Sequence, residues 1–560
     1  MARCSAVPAS EPSTELTLAK SRIALLEAEL NAARAERDDV KAERDTLREA
    51  YTAVKLELEL LKRRLFIAKA ERVDVEQLEL EFAAKLAELD ALAKRLEPMP
   101  ASVVPSVPGG SSTSRAPKKP TGRRDFSELD LPEETLVLAD AALEGKARRN
   151  GFDVSYKVKW RRGGMVRLKV MRVKYSVELE GAEDAKTYTA ELPPEVLPRS
   201  LATPSLVARV AIEKHLDGMP LHRLEDAWLR DGVTIDRGTM SRWLGEVGAL
   251  LNETVLAAAK QYALRTSFCC NTDATGVSVQ PLKGDMKKKQ PCRRGHFFVQ
   301  LFDKAHAFFE YVPRETSDAV KSLMAGYTGY VQADAKSVYD ILYRGDDEED
   351  DVCVEVGCWA HARRKYWEAA IAGSPVAREA LLRIQRIFEA DDKLKGLEPD
   401  VRKRLRDERV RPYVEAFFEW AHPEHQKVKS TRGPLSSALG YSINQEDALK
   451  RFLDDGRLEL DNNSSERALR TIATGRKSWL FVGSDDSAQS AGAFFSLIAS
   501  CKLHRLEPEA YLRDLLRVLP HWPKDRYLEL APLNFAATRA RLDGKELEAE
   551  LGPLTVPAAA

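Results

Sequence analysis

Three acidic side chains fall where a strand is expected to end or a helix to begin. Asp273 follows the strand expected over 267–272, and Asp334 follows the one expected over 329–333. Glu466 lies in the first turn of a helix that Asp461, Asn462 or Asn463 can cap. Carboxylates at the ends of neighbouring strands can meet one carried on a helix against them. Hard oxygen ligands of this kind suit Mg²⁺, or Mn²⁺ in its place, and Mg²⁺ keeps open positions for water and phosphate. Two such ions roughly 3.5–4 Å apart activate an attacking oxygen and neutralise a leaving one. Spacing selects nothing by itself: Asp334 follows Asp273 by 61 positions and Glu466 follows Asp334 by 132. In a chain with 87 acidic residues an arbitrary trio is ordinarily solvated surface charge, so both readings stand on the residues alone.

Other reactive types cluster nearby in sequence. Cys358-Trp359-Ala360-His361 sets a thiol and an imidazole one turn apart. Zinc needs four ligands, and His422 and His425 are poor candidates to complete the set. His361 therefore reads either as a hydrogen-bonded histidine opening a helix or as a polar group that touches a DNA strand or orients a water. Arg363 and Arg364 follow at once and suit phosphate. Arg467, Arg470, Arg476 and Lys477 fall within eleven residues that contain no acid. Arg470 stands one turn from Glu466, in pairing position. Arg476 and Lys477, between Gly475 and a strand expected over Ser478–Val482, are better placed for backbone phosphate. Lys283–Arg294 and Val401–Pro412 each add six cations, against one acid and two. Singly these are ordinary solvated surfaces; beside a nuclease-type site they jointly favour DNA. The six consecutive acids Asp346–Asp351 read as a solvated loop.

Several kinds of element must carry these groups. From Ser13 to Glu97 there is neither Gly nor Pro. With Leu16 at position a, thirteen of fifteen seam positions through Leu65 are apolar or aromatic, Arg37 and Arg44 being the exceptions. A 3.5-residue period held that long predicts a left-handed coiled coil and an oligomer. Pro98–Arg124 is a Pro/Gly/Ser-rich tether. Asp153–Leu192 alternates as strands about a Gly163–Gly164 turn. Leu221–Arg230, a turn at Asp231–Gly232 and a helix over Asp236–Val247 form a helix-turn-helix pattern. Its second helix offers Arg237, Thr239, Ser241 and Arg242 to phosphates and base edges. Strands are expected through 266–357, helices from 360 to about 460, and two helices near the C-terminus, with Leu551–Ala560 frayed.

Whole-chain composition narrows the class. The 560 residues carry 87 basic and 87 acidic side chains, so no global attraction holds the chain to DNA and any basic site is local. Length implies several domains. No run reaches the ~18 apolar residues of a membrane span, and Met1–Pro12 lacks the apolar core of a signal peptide. Seven cysteines, with Cys269 and Cys270 adjacent, fit a reducing cytosol. A cytoplasmic protein, nucleoid-associated when bound to DNA, is expected.

Flanking sequence separates the trio from the acidic background. LKRRLFIAKAERVDVEQLELEF, DGMPLHRLEDAWLRDGVTIDRGTMSRWLG, TDATGVSV, GYVQADAKSVYD, GCWAHARRKYWEA and LDNNSSERALRTIATGRKSWLFVGSDD, continued by SLIASCKLHRLEPEAYLRDLL, resemble bacterial insertion-sequence transposases of the family numbered 66. The resemblance spans about Leu61 to Pro520. It implies a multidomain α/β protein with an RNase H-like catalytic core (263–357 and 461–530) interrupted by a helical insertion (358–460). Ahead of that core stand the coiled coil (13–97), the linker (98–125), a small β-rich module (126–200) and the helix-turn-helix-like segment (201–262), with a tail at 531–560 behind it. Carried over by position, Asp273, Asp334 and Glu466 become metal-binding catalytic carboxylates, with Cys358 and His361 auxiliary. DNA at element ends and target is the implied substrate, with small accessory proteins as further partners. Family members carry a cysteine-based zinc module ahead of the helix-turn-helix. Here no cysteine lies between Cys4 and Cys269, so no structural zinc is expected. That loss keeps a second reading open, a catalytically silent DNA-binding regulator; a nuclease or resolvase without strand transfer is a third.

Overall fold

A computed structural model of the chain describes residue 46 and residues 50–57, 131–161, 163–177, 186–281, 292–344 and 352–559. The expected linker, the acidic run and most of the expected coiled coil lie outside the described residues. Within the coiled-coil segment, 50–57 are helical and Val54, at a seam position, is buried. Two compact units are present. One comprises 1–116, 364–385 and 423–439; the other comprises 117–363, 386–422 and 440–560. In the first, Arg378 Nη1 donates to Glu57 Oε1 at 3.3 Å.

The second unit is mixed α/β, with two mixed sheets. Its first sheet contains β1 (Glu133–Leu138), β2 (Arg148–Arg161), β3 (Gly164–Val177) and β4 (Lys186–Thr189). The order is β1-β3-β2, with β4 also on β3; β1 runs parallel to β3 and the others antiparallel. Gly163 (φ 101°) and Gly164 (φ 139°) close the β2–β3 hairpin in a region side chains rarely adopt. The backbone then turns helical: α1 (Pro204–His215), α2 (Leu221–Arg230), α3 (Arg237–Leu251) and α4 (Ala257–Thr266). Gly232 (φ 80°) makes the α2–α3 turn, and Asp236 caps α3 by accepting from Thr239 N at 2.8 Å.

The second sheet contains β5 (Cys269–Val279), β6 (Arg293–Phe302), β7 (His306–Val312), β8 (Tyr330–Gln332) and β9 (Val354–Val356), in the order β7-β6-β5-β8-β9. β5, β6 and β7 are antiparallel neighbours, and β8 and β9 extend the sheet parallel to β5. Asp303 (φ 49°) and Lys304 (φ 56°) turn β6 into β7. The Asp303 carboxylate accepts from Phe268 N and Cys269 N, both at 2.8 Å, fixing where β5 starts. One expectation is corrected here. β5 does not stop at Thr272; pairing with β6 carries it through Asp273, Ala274 and Thr275 without a break.

Between β7 and β8 stands α5 (Ser317–Leu323). After β9 come α6 (Trp359–Ile371), α7 (Pro375–Asp392), α8 (Pro399–Arg409), α9 (Arg411–Val428), α10 (Pro434–Asn444) and α11 (Glu446–Lys450). The chain then returns to the sheet through α12 (Asn463–Trp479) and α13 (Asp485–Leu503). The strand expected over Ser478–Val482 is not formed. α12 continues to Trp479, and only Val482 bridges to Val279 on β5. Small residues bring α13 against edge strand β7: Ser496 Oγ accepts from Phe309 N at 2.8 Å, and Ser500 Oγ accepts from Ala307 N at 3.0 Å. These bonds satisfy edge donors that would otherwise be buried unpaired.

The C-terminal segment is not frayed. After α14 (Pro508–Val518) come α15 (Pro532–Arg539) and α16 (Gly544–Glu548), and Arg517 donates to the carbonyls of Ala549, Gly552 and Pro553. Among the described residues no helix is long and apolar enough to cross a membrane.

Candidate active site

The sheet places the first two carboxylates. In the parallel pair β5–β8, Cys269 lies opposite Tyr330, Cys270 opposite Val331 and Asn271 opposite Gln332. The pairing ends there, and Asp273 and Asp334 each follow their last paired residue by two positions, near enough for the charge of Asp334 to act on Asp273. Asp273 is thus interior to β5, opposite Val299 of β6, rather than at a strand end. Burial pushes its carboxyl above the usual range; the Ala274 N–H on Oδ1 (2.7 Å) pulls it down, the charge of Asp334 pushes it up, and Lys336 and His361 pull it down. Asp334 Oδ1 is buried without a hydrogen-bond donor, while Oδ2 stands 3.5 Å from Lys336 Nζ.

Glu466 enters from the first turn of α12. Its Oε1 lies 3.6 Å from His361 Nε2, on the first turn of α6. His361, not Arg470, is the group found beside Glu466. The imidazole is therefore close to Glu466 on one side and acts electrostatically on Asp273 on the other. His361 Nδ1 is buried without a partner. Among the described residues, no three His, Cys, Asp or Glu side chains stand close enough together to hold a metal ion as they are.

Buried amides, which the sequence reading passed over, hold these elements in place. Asn271 Nδ2 donates to Gln332 Oε1 at 2.7 Å, tying β5 to β8. Gln332 Nε2 donates to the carbonyls of Gly357 (3.1 Å) and Glu459 (2.8 Å), reaching the segments ahead of α6 and α12. Asn462 Nδ2 donates to Thr272 O at 2.7 Å, next to Asp273. Asn462 thus does not cap α12 with its side chain, and Asp461 Oδ1 accepts from Asn463 N instead. The legible signal was an amide inside an apolar strand, as at Val331-Gln332-Ala333. Cys358 is fully buried; its sulfur accepts from Asn462 N at 3.2 Å, and burial pushes its thiol up to about 12. A thiol so held is a poor source of the thiolate that metals bind.

The expected DNA contacts separate by exposure. Arg237, Ser241 and Arg242 are exposed on α3, whereas Thr239 is half-buried, donating to Asp236 Oδ2 and accepting from Arg242 Nη2. Arg363, Arg364, Arg467 and Lys477 are exposed. Arg476 is exposed too, but its guanidinium donates to Thr275 Oγ1 (3.0 Å) and Gly276 O (2.7 Å), so it also ties α12 to β5. In the Val401–Pro412 run, Arg402 and Arg406 turn inward onto Asp391.

The family described as Transposase IS66 family matches residues 199–490, just over half of the chain. An IS66 C-terminal element matches 496–533, and the family described as Transposase C of IS166 homeodomain matches 53–136. The chain is similar to uncharacterized protein y4qI of Sinorhizobium fredii (strain NBRC 101917 / NGR234), 29% identical over 354 residues, 61% of this chain and 64% of that one. Uncharacterized protein y4hP of the same strain is 27% identical over 358 residues, 60% of this chain and 62% of that one. The chain spans less than two thirds of the length of these relatives. With the matched region running from the α1 approach through the Asp273, Asp334 and Glu466 positions, the chain belongs to the IS66 transposase family.

Proposed function

We propose that the chain is an Asp-Asp-Glu DNA transposase that cuts a phosphodiester at the end of its element and joins the freed 3′-hydroxyl to target DNA. The observation that carries this reading is that Asp273 and Asp334 follow the paired ends of adjacent parallel strands and act on one another electrostatically, while His361, which also acts on Asp273, lies 3.6 Å from Glu466. The strand order β7-β6-β5-β8-β9, three antiparallel strands extended by two parallel ones, supports an RNase H-like core.

The donor chemistry fits a divalent cation. Two hard carboxylates side by side repel one another, and Asp334 carries a buried oxygen that no protein donor satisfies. Mg²⁺ commonly takes only one or two carboxylates and completes its sphere with water and substrate phosphate, so the separation of Glu466 is compatible with such a site. Mg²⁺ or Mn²⁺ held by Asp273, Asp334 and Glu466 would supply polarisation of the phosphate and activation of the attacking oxygen. Around them, Lys336 balances the charge of Asp334. His361 orients the Glu466 carboxylate from Nε2, 3.6 Å away. Arg467, Arg476, Lys477, Arg363 and Arg364 bind backbone phosphate, and Arg237, Thr239, Ser241 and Arg242 on α3 meet the DNA that is selected. The N-terminal coiled coil joins protomers so that both element ends share one complex, accessory proteins assist, and the protein works in the cytoplasm at the nucleoid.

Strand-transfer assays of Asp334→Asn and Glu466→Gln test the assignment: both variants lose joining, and wild-type joining by either ends it. One observation favours a silent DNA-binding regulator, namely that no three metal-ligating side chains are gathered among the described residues. Calorimetric titration with Mg²⁺ or Mn²⁺ on bound DNA decides, because a regulator gives no carboxylate-dependent heat. A nuclease or resolvase would leave a cut strand and no joined product.

A further inference from the structure

The turn after α12 holds two large apolar side chains out in solvent. Leu480 is 66% exposed and Phe481 43%. Leu480 has φ 60° and ψ −44°, and Phe481 N donates to Trp479 O, a strained γ-turn of positive φ. Both ends of this turn are pinned. Leu480 N donates to Arg476 O (3.0 Å) at the close of α12; Val482 N donates to Ser278 O (2.8 Å), and Gln280 N donates to Val482 O (2.9 Å), at the end of β5. The turn therefore cannot relax to bury Leu480 without giving up the contacts that anchor it.

Charge around the tip matches a polyanion. From Arg467 through Ser484 there are four cations and no acid, Glu466 and Asp485-Asp486 bounding the stretch with Asp485 paired by Arg293, and Lys477, three residues from Leu480, is exposed. Apolar side chains presented from a cationic surface suit a duplex, whose phosphates meet the cations while an apolar group enters between base steps. The position is also set. Val482 bridges to Val279, six residues along β5 from Asp273. At about 3.3 Å per residue Val279 lies roughly 20 Å along β5 from Asp273, so the turn bridged to it stands on the order of six base steps of B-DNA away.

We propose that Leu480, with Phe481 beside it, wedges into duplex DNA about six base pairs from the phosphate held at Asp273, unstacking one step and bending the duplex onto the protein. This inference rests on the transposase reading. The test uses the full chain bound, in metal-free buffer, to a duplex ending in the terminal sequence of its element, with 2-aminopurine placed singly along each strand. The expected result is a fluorescence maximum about six base pairs inside the cut site, at the position set by strand rise, that disappears with Leu480→Gly. Glycine adopts positive φ freely, so that variant keeps its circular dichroism, and its profile is read at protein concentrations that saturate the duplex. A flat profile on bound wild-type protein overturns the wedge, and cutting of the same duplex in Mg²⁺ then judges the transposase reading separately. A chain that neither binds nor cuts ends both. If Leu480→Gly and Phe481→Ala alter sedimentation of the free protein but leave the fluorescence profile as in wild type, the tip is a contact between copies and the wedge falls.

Discussion

Asn462 donates its side-chain amide to the Thr272 carbonyl across 2.7 Å, and its backbone N–H donates to Cys358 Sγ at 3.2 Å. One fully buried residue thus fastens the start of α12 to β5 immediately before Asp273, and to the segment that leads into His361. Gln332 makes a parallel set of ties one strand over, with both of its amide groups bonded. The relative placement of Asp273, Asp334 and Glu466 is therefore set by neutral amides. These ties are made by amides and carbonyls and do not involve the carboxylates themselves.

Asn462→Ala removes the tie and leaves the Thr272 carbonyl buried and unpaired, a cost of about 1–3 kcal/mol. The expected outcome is a lower urea midpoint together with a loss of strand transfer larger than the stability change explains. Gln332→Ala should behave alike. Unchanged activity in both variants, measured well below their unfolding midpoints, would show that the amides do not position the carboxylates.

What was legible in the sequence follows from the range of each signal. The β2–β3 hairpin could be read because Val154, Tyr156, Val158 and Trp160 alternate up to a Gly-Gly turn. The α2–α3 pair could be read because Gly232 and the Asp236 cap punctuate it. Trp479-Leu480-Phe481-Val482 misled, since an apolar run looks like a buried strand, whereas α12 extends into it and two of its members face solvent. The break expected after Thr272 came from Ala274 and Gly276, weak strand formers that β6 nonetheless pairs. The approach of Asp273 to Asp334 could not come from spacing, because it depends on the β5–β8 register, and Asn271 and Gln332 read as ordinary polar residues until that register buries them.

Helix α13 depends on closeness to β7. A Cβ on Gly492 would lie 2.4 Å from Phe309 O, a backbone atom that cannot step aside. Gly492→Ala should therefore push α13 outward and loosen the Ser496 and Ser500 bonds, costing roughly 1–3 kcal/mol. Ser496→Ala, which only orphans Phe309 N, should cost about 1–3 kcal/mol as well. Guanidinium denaturation of both variants checks this, and a midpoint unchanged by Gly492→Ala would refute the contact.

Arg406 is wholly buried against Asp391, with further bonds to the carbonyls of Phe452, Asp455 and Leu458. Burial pulls its guanidinium below the ordinary range, and Asp391 opposes that pull. Arg406→Met leaves three carbonyls without this donor and Asp391 with Arg402 as its remaining partner, a loss of about 3 kcal/mol. Arg402→Met combined with Arg406→Met strands the buried carboxylate and should cost more than the single change. A double variant no less stable than the single one, in thermal unfolding, would contradict the account.

His215 is buried with its ring stacked on Phe494 at 4.8 Å, and burial first, then the Lys214 charge, push its imidazole down to about 3. The sign follows directly. Below pH 6.5 the unfolded chain takes up a proton that the folded chain refuses, so stability falls as pH falls from 6.5 towards about 3. Each unit in that window costs roughly 1.4 kcal/mol. His215→Phe keeps the stacking and should flatten this part of the profile, seen as urea midpoints that change less between neutral and mildly acidic pH. Profiles that superimpose would mean His215 is not protonation-resistant in the fold.

Salt dependence separates cations that meet phosphate from those that hold the fold. Each phosphate contact contributes a slope of about −0.9 in log affinity against log salt. Lys477 and Arg237 are exposed, so Lys477→Ala and Arg237→Ala should each reduce the slope by about 1 and leave thermal stability unchanged. Arg476 differs, because it bonds Thr275 and Gly276 on β5. Arg476→Ala should lower the melting temperature whether or not the slope changes. If all three variants keep the wild-type slope on DNA carrying the element end, the duplex does not follow α12 and α3, and the basic residues there are only solvated surface.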